Sequence, residues 1–349
     1  MSFRIWLSII TVLLLALILF LARHELHSAW LLLGQVDLWI LLLMVPVQIL
    51  VLYAGGEMIF TYLRAKGQVK NVSKWEMIRV SFEGNFVNHV LPSGGVSGVS
   101  YLTWRLSHLG VSPGRATMAQ VVRHASTFTA FALLLLFALF AVTLDGDLNR
   151  WIILTSATLF GLIAGGVLAL IYLLSSKRRI DKFAAWMYRA LNFVTRKVTF
   201  GRKRKLVKEA VITEFLDDMH HDFVELRHDK KLLIKPYVWG IVFNIADAGL
   251  FMIAFWSLGE IFNPAPILIA YGVASLAGFV VATPGGAGVY EAIMVTVLAF
   301  AGISGGVAIA GILLARVVIL VITIVGGYAF YQHALAKYGG PKHGAKAHG

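Results

Sequence analysis

The chain has 349 residues, of which 58% are hydrophobic and only 14% are charged, and its formal net charge is +13. A soluble domain has about 25% charged residues, so this composition is typical of a polytopic membrane protein. Because the chain contains no cysteine, disulfides, thiolate metal sites and cysteine nucleophiles are excluded.

Six apolar stretches are long enough to cross a membrane, since a helix needs about 20 residues to span a bilayer core of about 30 Å. They cover residues 5–22, 38–63, 116–144, 151–174, 236–258 and 307–331. The first is interpreted as a retained span and not as a signal peptide, because no cleavage site of small residues follows it. The sequence predicts an all-α polytopic membrane protein with one transmembrane domain, residues 1–336, and a disordered cytoplasmic tail, residues 337–349.

Two further apolar segments, residues 75–106 and 266–301, are interrupted by helix-breaking residues. The first break contains Pro92, Ser93, Gly94 and Gly95, and the second contains Thr283, Pro284, Gly285, Gly286 and Gly288. Backbone that leaves the helix at membrane depth must be buried in protein or line a watery cavity. Each segment is therefore either a re-entrant hairpin or a pair of complete spans. Paired breaks in the two halves of a chain point to a transport site at the membrane midplane.

The charge of the loops predicts the orientation of the chain. Basic residues cluster at 64–79 and at 177–235, where 16 basic residues stand against 8 acidic ones, whereas the segments around 145–147 and Glu260 are poor in Lys and Arg. By the positive-inside rule the two basic loops and both termini are cytoplasmic, and the basic excess lies beside anionic lipid headgroups and not on nucleic acid. This orientation of the long spans is consistent only if each broken segment enters and leaves the membrane on the same side. The first would then enter from the cytoplasm and the second from outside, as an inverted pair whose tips approach each other near the midplane.

The large basic loop contains a stretch, residues 206–226, with apolar residues at four-residue spacing. This spacing predicts either an amphipathic helix on the cytoplasmic leaflet or a solvated two-helix insert packed on itself. The same loop carries His220, His221, Asp222 and His228. No other ligand follows at a spacing typical of a metal site, so a solvated polar face is favoured and no metal is predicted.

Seven ionisable residues fall within the apolar zone, namely Glu57, Glu83, Arg123, His124, Asp247, Glu291 and Arg316. Arg123 and Arg316 are the candidates to hold a lipid phosphate, because a guanidinium binds phosphate bidentately and keeps its charge. Glu291 and Asp247 are the candidates to balance that charge or to take up a proton. The Gly-rich breaks would add backbone N–H groups that bind an anion, and the residues beside them, Asn88, His89 and Tyr290, complete the predicted headgroup site and gate.

Structural explanations stay open for each of these residues. Buried Arg, Asp and Glu often pair only to neutralise one another. Glu57 and Glu83 could lie at the membrane interface, where long side chains snorkel, and His89 and His124 could be satisfied interior histidines. The glycine pairs at 55–56, 165–166, 305–306 and 326–327 are predicted to serve close helix packing.

The motifs of soluble enzymes are missing from the sequence. It has no Walker motif, no His-Glu-x-x-His and no Gly-x-Ser-x-Gly, so no catalytic residue and no cofactor is predicted. No predicted domain is large enough to bind a nucleotide, which argues against ATP-driven transport by this chain alone.

Three stretches carry a resemblance to a known family. They are residues 85–100 with the core Leu91-Pro92-Ser93-Gly94-Gly95, residues 110–116, and the motif Thr283-Pro-Gly-Gly-Ala-Gly-Val-Tyr-Glu291. They are similar to the lysylphosphatidylglycerol synthase transmembrane, or flippase-like, family, and the resemblance spans about residues 5–331. That family includes the flippase half of bacterial multiple-peptide-resistance proteins and stand-alone members such as a hopanoid-biosynthesis-associated membrane protein. The sequence lacks the soluble aminoacyl-transferase domain of the resistance proteins, so lysylphosphatidylglycerol synthesis is not expected.

The resemblance implies a lipid translocase of the bacterial inner membrane that moves a phospholipid or another polar lipid between leaflets, with the two breaks as a gate near the midplane. Two alternatives stay open. One is a membrane partner that presents lipid to a separate biosynthetic enzyme. The other is an intramembrane enzyme that uses Glu291 and His89 on a lipid substrate. Membrane lipids are the expected binding partners in each case.

Overall fold

Helices account for almost all of the chain that the structure describes. The computed structural model describes residues 34–91, 96–144, 150–198, 209–280 and 288–339, together with Leu31. The helices are α1 Leu38–Leu42, α2 Met44–Ala65, α3 Lys74–Val90, α4 Val96–Ser107, α5 Pro113–Leu144, α6 Arg150–Leu174, α7 Lys177–Val198, α8 Glu209–His228, α9 Ile234–Ser257, α10 Pro264–Val280, α11 Val289–Phe300 and α12 Gly305–Tyr338. A 3-10 turn, Lys230–Leu233, precedes α9.

Five of the predicted spans are long apolar helices within the described ranges. They are Leu38–Ala65, Pro113–Ala141, Ile153–Leu174, Lys230–Ser257 and Gly305–Tyr338. The prediction of an all-α polytopic membrane protein is confirmed. The last of these helices runs past residue 331, where the predicted span ends, and the first is interrupted at Leu43, between α1 and α2. The sixth predicted span, residues 5–22, lies outside the described residues, as does most of the tail.

Contacts between helix ends define two opposite ends of the molecule. At one end, Lys66 after α2 and Arg115 in the first turn of α5 pair with Asp222 of α8, at 3.8 and 3.5 Å. At the other end, the N–H of Asp37 before α1 donates to the carbonyl of Ser257 at the end of α9, at 2.7 Å. We call the first the basic end, because the charged insert formed by α7 and α8 lies there, and the second the opposite end.

The segment between α2 and α5 is a re-entrant hairpin that begins and ends at the basic end. Glu76 in the first turn of α3 pairs with Arg105 near the end of α4, and α5 starts shortly after α4. Helices α3 and α4 have 17 and 12 residues and are about 25 and 18 Å long, against about 48 Å for α5. Neither is long enough to cross the molecule as α5 does.

The segment between α9 and α12 is the second hairpin, and it begins and ends at the opposite end. Helix α10 starts just after the end of α9. Trp151, at the start of α6, stacks on Phe300, the last residue of α11, with ring centroids 5.9 Å apart. The two segments are therefore hairpins of inverted orientation, as the loop charges predicted. Helices α10 and α11 have 17 and 12 residues and, like α3 and α4, are shorter than α5. The tips of the two hairpins, residues 92–95 and 281–287, lie outside the described residues.

Glycines allow close contact between the hairpins and the long helices. Gly327 of α12 lies against Phe86 of α3, and Gly311 of α12 lies against Phe255 of α9, so closely that an added Cβ would overlap either ring-bearing side chain. The prediction of close packing is confirmed for the pairs 55–56 and 326–327. It is wrong for 165–166 and 305–306, where an added Cβ would meet no atom of the described residues within 4 Å. Those faces of α6 and α12 are exposed.

The basic loop forms a two-helix insert that packs on itself and on the transmembrane helices. Helix α8 buries Leu216 and Met219 against α5 and α7. Met219 belongs to the predicted apolar stripe, and Phe223 of the same stripe is partly buried against the same cluster. Where its side chains are described, protein covers the stripe, so the interpretation of α8 as a helix lying on the leaflet is wrong. The predicted solvated face is also wrong for Asp222, which is 2% exposed, while His220 Nδ1 lies 2.8 Å from the carbonyl of Leu174 at the end of α6.

Glu57 and Glu83 are buried ion-pair partners and not interface residues that snorkel. Glu57 accepts a hydrogen bond from Arg64 at 3.1 Å. Glu83 accepts hydrogen bonds from Arg105 Nε at 3.0 Å and from the Tyr101 hydroxyl at 3.1 Å. Burying either charge alone would cost several kcal/mol. The pairs instead tie α3 to α4 and hold the end of α2.

Candidate functional site

The ionisable residues of the candidate site lie near the middle of three long helices. Arg123, Asp247 and Arg316 are each about 15 to 20 Å from the start of their helices, α5, α9 and α12. Half of a bilayer core of about 30 Å is about 15 Å, so we expect these residues to lie near the membrane midplane if the helices begin at the membrane surface. Glu291 lies in the first turn of α11, directly after the tip of the second hairpin.

Arg316 of α12 contacts the first turn of α11 in the second hairpin. Its Nε donates to Oε1 of Glu291 at 2.8 Å, and its guanidinium carbon lies 4.6 Å from the centre of the Tyr290 ring. The other carboxylate oxygen of Glu291 accepts the N–H of Gly288 at 2.6 Å. Gly288 has a φ of 86°, which glycine adopts without the clash that a Cβ would cause. Glu291 thus caps the start of α11 and neutralises Arg316 at the same time.

Asp247 of α9 is held by the other helix of the second hairpin. Tyr271 of α10 donates its hydroxyl to Oδ2 of Asp247 at 2.7 Å, and Ser275, one turn further along α10, is within hydrogen-bonding reach of Tyr271. Arg316 and Arg123 are both close enough to attract the Asp247 carboxylate electrostatically. Asp247 of α9 therefore interacts electrostatically with the arginines of α5 and α12.

Arg123 differs from the other charges of the cluster. Within the described ranges, no carboxylate oxygen lies within 4.0 Å of its guanidinium nitrogens. The guanidinium faces α2 at Gly55, where an added Cβ would be 3.4 Å from Nη2. Together with Gly56 and Ser81 it lines a cavity of about 10 Å³, which is room for about one water molecule. The side chain stays partly exposed, so Arg123 is a cation at midplane depth that a ligand can reach.

The end of α3 brings the first hairpin to the same place. His89 is close enough to Arg316 for an electrostatic interaction, and its Nδ1 lies 2.9 Å from the carbonyl of Asn85. Asn88 packs against Gly98 of α4, and its buried Oδ1 has no hydrogen-bond partner among the described residues. Both hairpins therefore reach Arg316, one from each end of the molecule.

Other polar residues on α5 and α9 serve helix packing. Asn244 Nδ2 donates to the carbonyl of Thr127 at 2.9 Å and thereby ties α9 to α5. Gln120 Nε2 donates to Thr103 Oγ1 at 3.1 Å and ties α5 to α4. These bonds fix the position of α5 on both sides of Arg123.

The structure thus joins most of the predicted site residues that it describes. They are Arg123, Asp247, Tyr290, Glu291 and Arg316, with Asn88, His89 and Gly288 beside them. The remaining predicted gate residues, Pro92, Ser93, Gly94, Gly95, Thr283, Pro284, Gly285 and Gly286, lie outside the described residues. Sequence reasoning missed Tyr271 and Ser275, although two hydroxyls within the apolar run of α10 were a usable signal.

This arrangement suits the binding of an anionic group. Glu291 contacts Arg316 directly, whereas Asp247 attracts Arg123 only from beyond contact distance, so the guanidinium of Arg123 keeps hydrogen-bond donors for a ligand. A guanidinium binds phosphate or carboxylate through two parallel hydrogen bonds. Such a bond is stronger in a site with little water than at an exposed surface.

Comparison with known proteins gives one match. Residues 5–327 match the family model described as the lysylphosphatidylglycerol synthase TM region. The matched residues include both hairpins and all members of the charged cluster. No curated protein and no solved structure matches the chain.

Proposed function

Because the chain belongs to the lysylphosphatidylglycerol synthase transmembrane family, we propose that it is a translocase that moves a phospholipid or another polar lipid between the two leaflets of the membrane. On this proposal it acts as a transporter and changes no covalent bond. Its partners are the membrane lipids themselves.

The observation that carries the proposal is the position of Arg123. A charged side chain in the middle of a membrane helix is costly, and such residues mark substrate pathways by default. A structural role would give Arg123 a carboxylate at contact distance, as Arg316 has in Glu291. Arg123 instead lines a cavity of the size of one water molecule between α2, α3, α4 and α5, which must widen before Arg123 can hold the phosphate of a headgroup on its way across.

The two hairpins supply the gate in this proposal. They approach from opposite ends, and their inner ends meet near Arg316, which pairs with Glu291 and lies close to His89. Breaking the ion pair between Arg316 and Glu291 would let one hairpin move without the other. This provides alternating access to the headgroup site from the two ends.

We further propose that the chain lies in the bacterial inner membrane with the basic end in the cytoplasm. The basic end carries the loop at 64–79 and the insert, in which 16 basic residues stand against 8 acidic ones. Loops rich in Lys and Arg stay on the cytoplasmic side. Both termini are then cytoplasmic as well.

Lipid movement in proteoliposomes tests the function. Purified protein is reconstituted with a headgroup-labelled phospholipid, and a reductant that cannot cross the membrane reports which labels have changed leaflet. Wild-type protein should speed up the exchange, and Arg123→Gln should abolish most of the increase. Arg227→Gln, the same change at an exposed position of the insert, is the matched control and should behave like wild type.

The alternatives give different results in the same vesicles. A protein that only presents lipid to an enzyme would bind the labelled lipid without changing its leaflet. An intramembrane enzyme would yield a new lipid species, which mass spectrometry of the vesicle lipids detects. Either result contradicts the proposed translocase.

A further inference from the structure

The first helix of the insert, α7, has a surface that the rest of the protein does not cover. Ile180 and Ala184 are buried, at 1% and 3% exposure, where α7 packs on α8. On a neighbouring face of α7, Trp186 is 58% exposed, and its ring stacks on that of Phe183 with centroids 5.5 Å apart. One apolar face of α7 is therefore used inside the insert, and an aromatic face is left outside it.

Basic side chains border this aromatic face. Arg178, Lys182 and Arg189 are exposed, and their spacing of four and seven residues puts them on one side of the helix. Asp181 is the acidic residue of α7. An aromatic strip next to a row of Lys and Arg is the pattern of a helix that lies in the membrane interface, where it meets acyl chains on one side and anionic headgroups on the other.

The turn before α7 places this surface at the level of the membrane. Only Ser175 and Ser176 separate α7 from α6, which is one of the long apolar helices. Arg179 stacks on Tyr172 near the end of α6, with its guanidinium carbon 3.7 Å from the ring centre, and donates to Ser175 Oγ at 2.9 Å. Tyr172 is 65% exposed, and tyrosine at the end of a membrane helix is typical of the interface. The aromatic face of α7 thus begins beside the headgroup layer.

We propose that α7 is a membrane-surface helix that binds the anionic lipids of the leaflet at the basic end, with Trp186 and Phe183 among the acyl chains and Arg178, Lys182 and Arg189 on the headgroups. This reassigns the leaflet contact from α8, whose apolar face is buried, to α7. The charge of the surface fits this partner: each basic side chain near an anionic leaflet favours binding by roughly fivefold.

A fluorescent reporter at position 186 tests the proposal in the whole protein. Because the chain has no cysteine, Trp186→Cys can be labelled with an environment-sensitive dye and reconstituted into vesicles of neutral lipid or of neutral lipid with phosphatidylglycerol. Asp181→Cys, on the exposed polar face of α7, is the matched control. The dye at 186 should emit at shorter wavelength in the anionic vesicles and be quenched by lipid-bound spin labels, whereas the dye at 181 should be quenched by aqueous iodide.

Charge reversal shows whether anionic headgroups hold α7 in place. Arg178→Glu with Lys182→Glu and Arg189→Glu should shift the emission at 186 to that of the polar control. Arg227→Glu with Lys230→Glu and Lys231→Glu makes the same charge change at exposed positions of the insert beyond α7 and should leave the emission unchanged. Should the triple variant fail to fold, Lys182→Glu alone serves, with a smaller shift expected.

Three results would overturn the proposal. Iodide quenching at 186 in anionic vesicles would mean that α7 is solvated. Equal lipid quenching in neutral and anionic vesicles would mean that anionic headgroups are not recognised. Protection of 186 from both quenchers would mean that protein, such as a second copy of the chain, covers this face.

Discussion

At the scale of single residues, the interior of this protein neutralises nearly every charge by a specific contact. Glu83 has Arg105 and Tyr101, and Arg316 has Glu291. Asp247 is held by the hydroxyl of Tyr271. Each pair lowers the cost of a buried charge and at the same time joins two helices. Arg123 is the departure from this pattern among the described residues, which is why it carries the functional proposal.

Arg123→Lys should weaken the binding of lipid that copurifies with the protein. An ammonium keeps the positive charge but cannot form two parallel bonds to one phosphate. Loss of a charge-assisted bond of about 1.5 to 3 kcal/mol corresponds to roughly tenfold or more in affinity. Native mass spectrometry of wild-type, Arg123→Lys and the control Arg227→Lys measures the bound fraction. Equal lipid occupancy in the three proteins would remove Arg123 from the headgroup site.

Glu291→Gln should stop lipid exchange with little loss of stability. The amide oxygen can still accept the N–H of Gly288, so α11 stays capped, but the charge that holds Arg316 is gone. Coupling between contacting residues is about 0.5 to 3 kcal/mol, so Glu291→Gln combined with Arg316→Gln should cost less stability than the sum of the two single changes. Thermal unfolding in detergent gives the three values. Normal exchange by the Glu291→Gln protein would show that the pair is structural only.

At the scale of helices, glycines, which have no side chain, determine how closely α12 packs on its neighbours. Helix α12 lies close to α3 because Gly326 and Gly327 leave room for Phe82 and Phe86. Gly311 of α12 leaves room for Phe255 of α9 in the same way. In a membrane, close approach of this kind supplies much of the attraction between helices, since lipid tails are as apolar as leucine.

Gly327→Ala should destabilise the protein by about 1 to 3 kcal/mol, the usual cost of overpacking a close contact. The new methyl group would overlap Phe86 and lie 3.0 Å from the carbonyl oxygen of Phe82, which cannot move without shifting α3. Gly165→Ala is the matched control, because its Cβ would lie more than 4 Å from every described neighbour and alanine favours helix by up to about 1 kcal/mol. Thermal unfolding compares the two. A loss of stability in both would mean that helix α6 packs where the structure leaves it exposed.

A buried carboxylate, Asp222, helps to fix the insert to the transmembrane helices. Asp222→Asn should destabilise the protein by about 1 to 3 kcal/mol, because Arg115 would lose its carboxylate partner and Lys66 would keep only its contact with Glu225, at 2.5 Å. Asp217→Asn removes the same charge from an exposed pair with Lys177 and should cost about 1 kcal/mol or less. Limited proteolysis of the insert gives an independent reading. Equal resistance of the two variants to proteolysis would show that Asp222 does not hold the insert on the transmembrane helices.

At the scale of the whole molecule, the features that depend on hydrophobicity could be predicted from the sequence, whereas the contacts between side chains could not. Apolar length located five described spans with ends that differ from the observed ones by at most seven residues, and loop charge predicted the inverted orientation of the two broken segments. Nothing in the sequence indicated that Arg105 neutralises Glu83, because the two are far apart along the chain and sit in a segment too polar to be called a span. The sequence left open whether α8 lies on the leaflet or packs in a two-helix insert, because four-residue spacing cannot distinguish a face covered by lipid from one covered by protein.

The charged residues of the site could be predicted from the sequence, but the residues that contact them could not. Arg123, Asp247, Glu291 and Arg316 stood out because an ionisable residue within a long apolar run has few structural explanations. That Glu291 pairs with Arg316, and that Arg123 has no such partner among the described residues, depends on how α5, α11 and α12 pack. Such packing is fixed by side-chain shape at many positions, which periodicity does not report.

The orientation of the molecule is the last prediction, and four single cysteines in this cysteine-free chain test it. Positions 70 and 108 are exposed on either side of the first hairpin, and positions 261 and 302 are exposed on either side of the second. If the basic end is cytoplasmic, a thiol reagent that cannot cross the membrane should label Ile261→Cys and Gly302→Cys in intact cells. Lys70→Cys and His108→Cys should react only after the cells are opened.

The pairs also test the hairpins independently of the orientation. The two cysteines of a pair must share one side, because a re-entrant segment returns to the end at which it began. Labelling of 108 but not 70 from outside would mean that the segment from α3 to α4 crosses the bilayer once and does not return, in which case the gate formed by two inverted hairpins could not exist. Labelling of 70 and 108 together from outside would keep the hairpins but invert the protein. It would then place 16 basic residues of the insert on the outer side, against the charge rule from which the orientation was inferred.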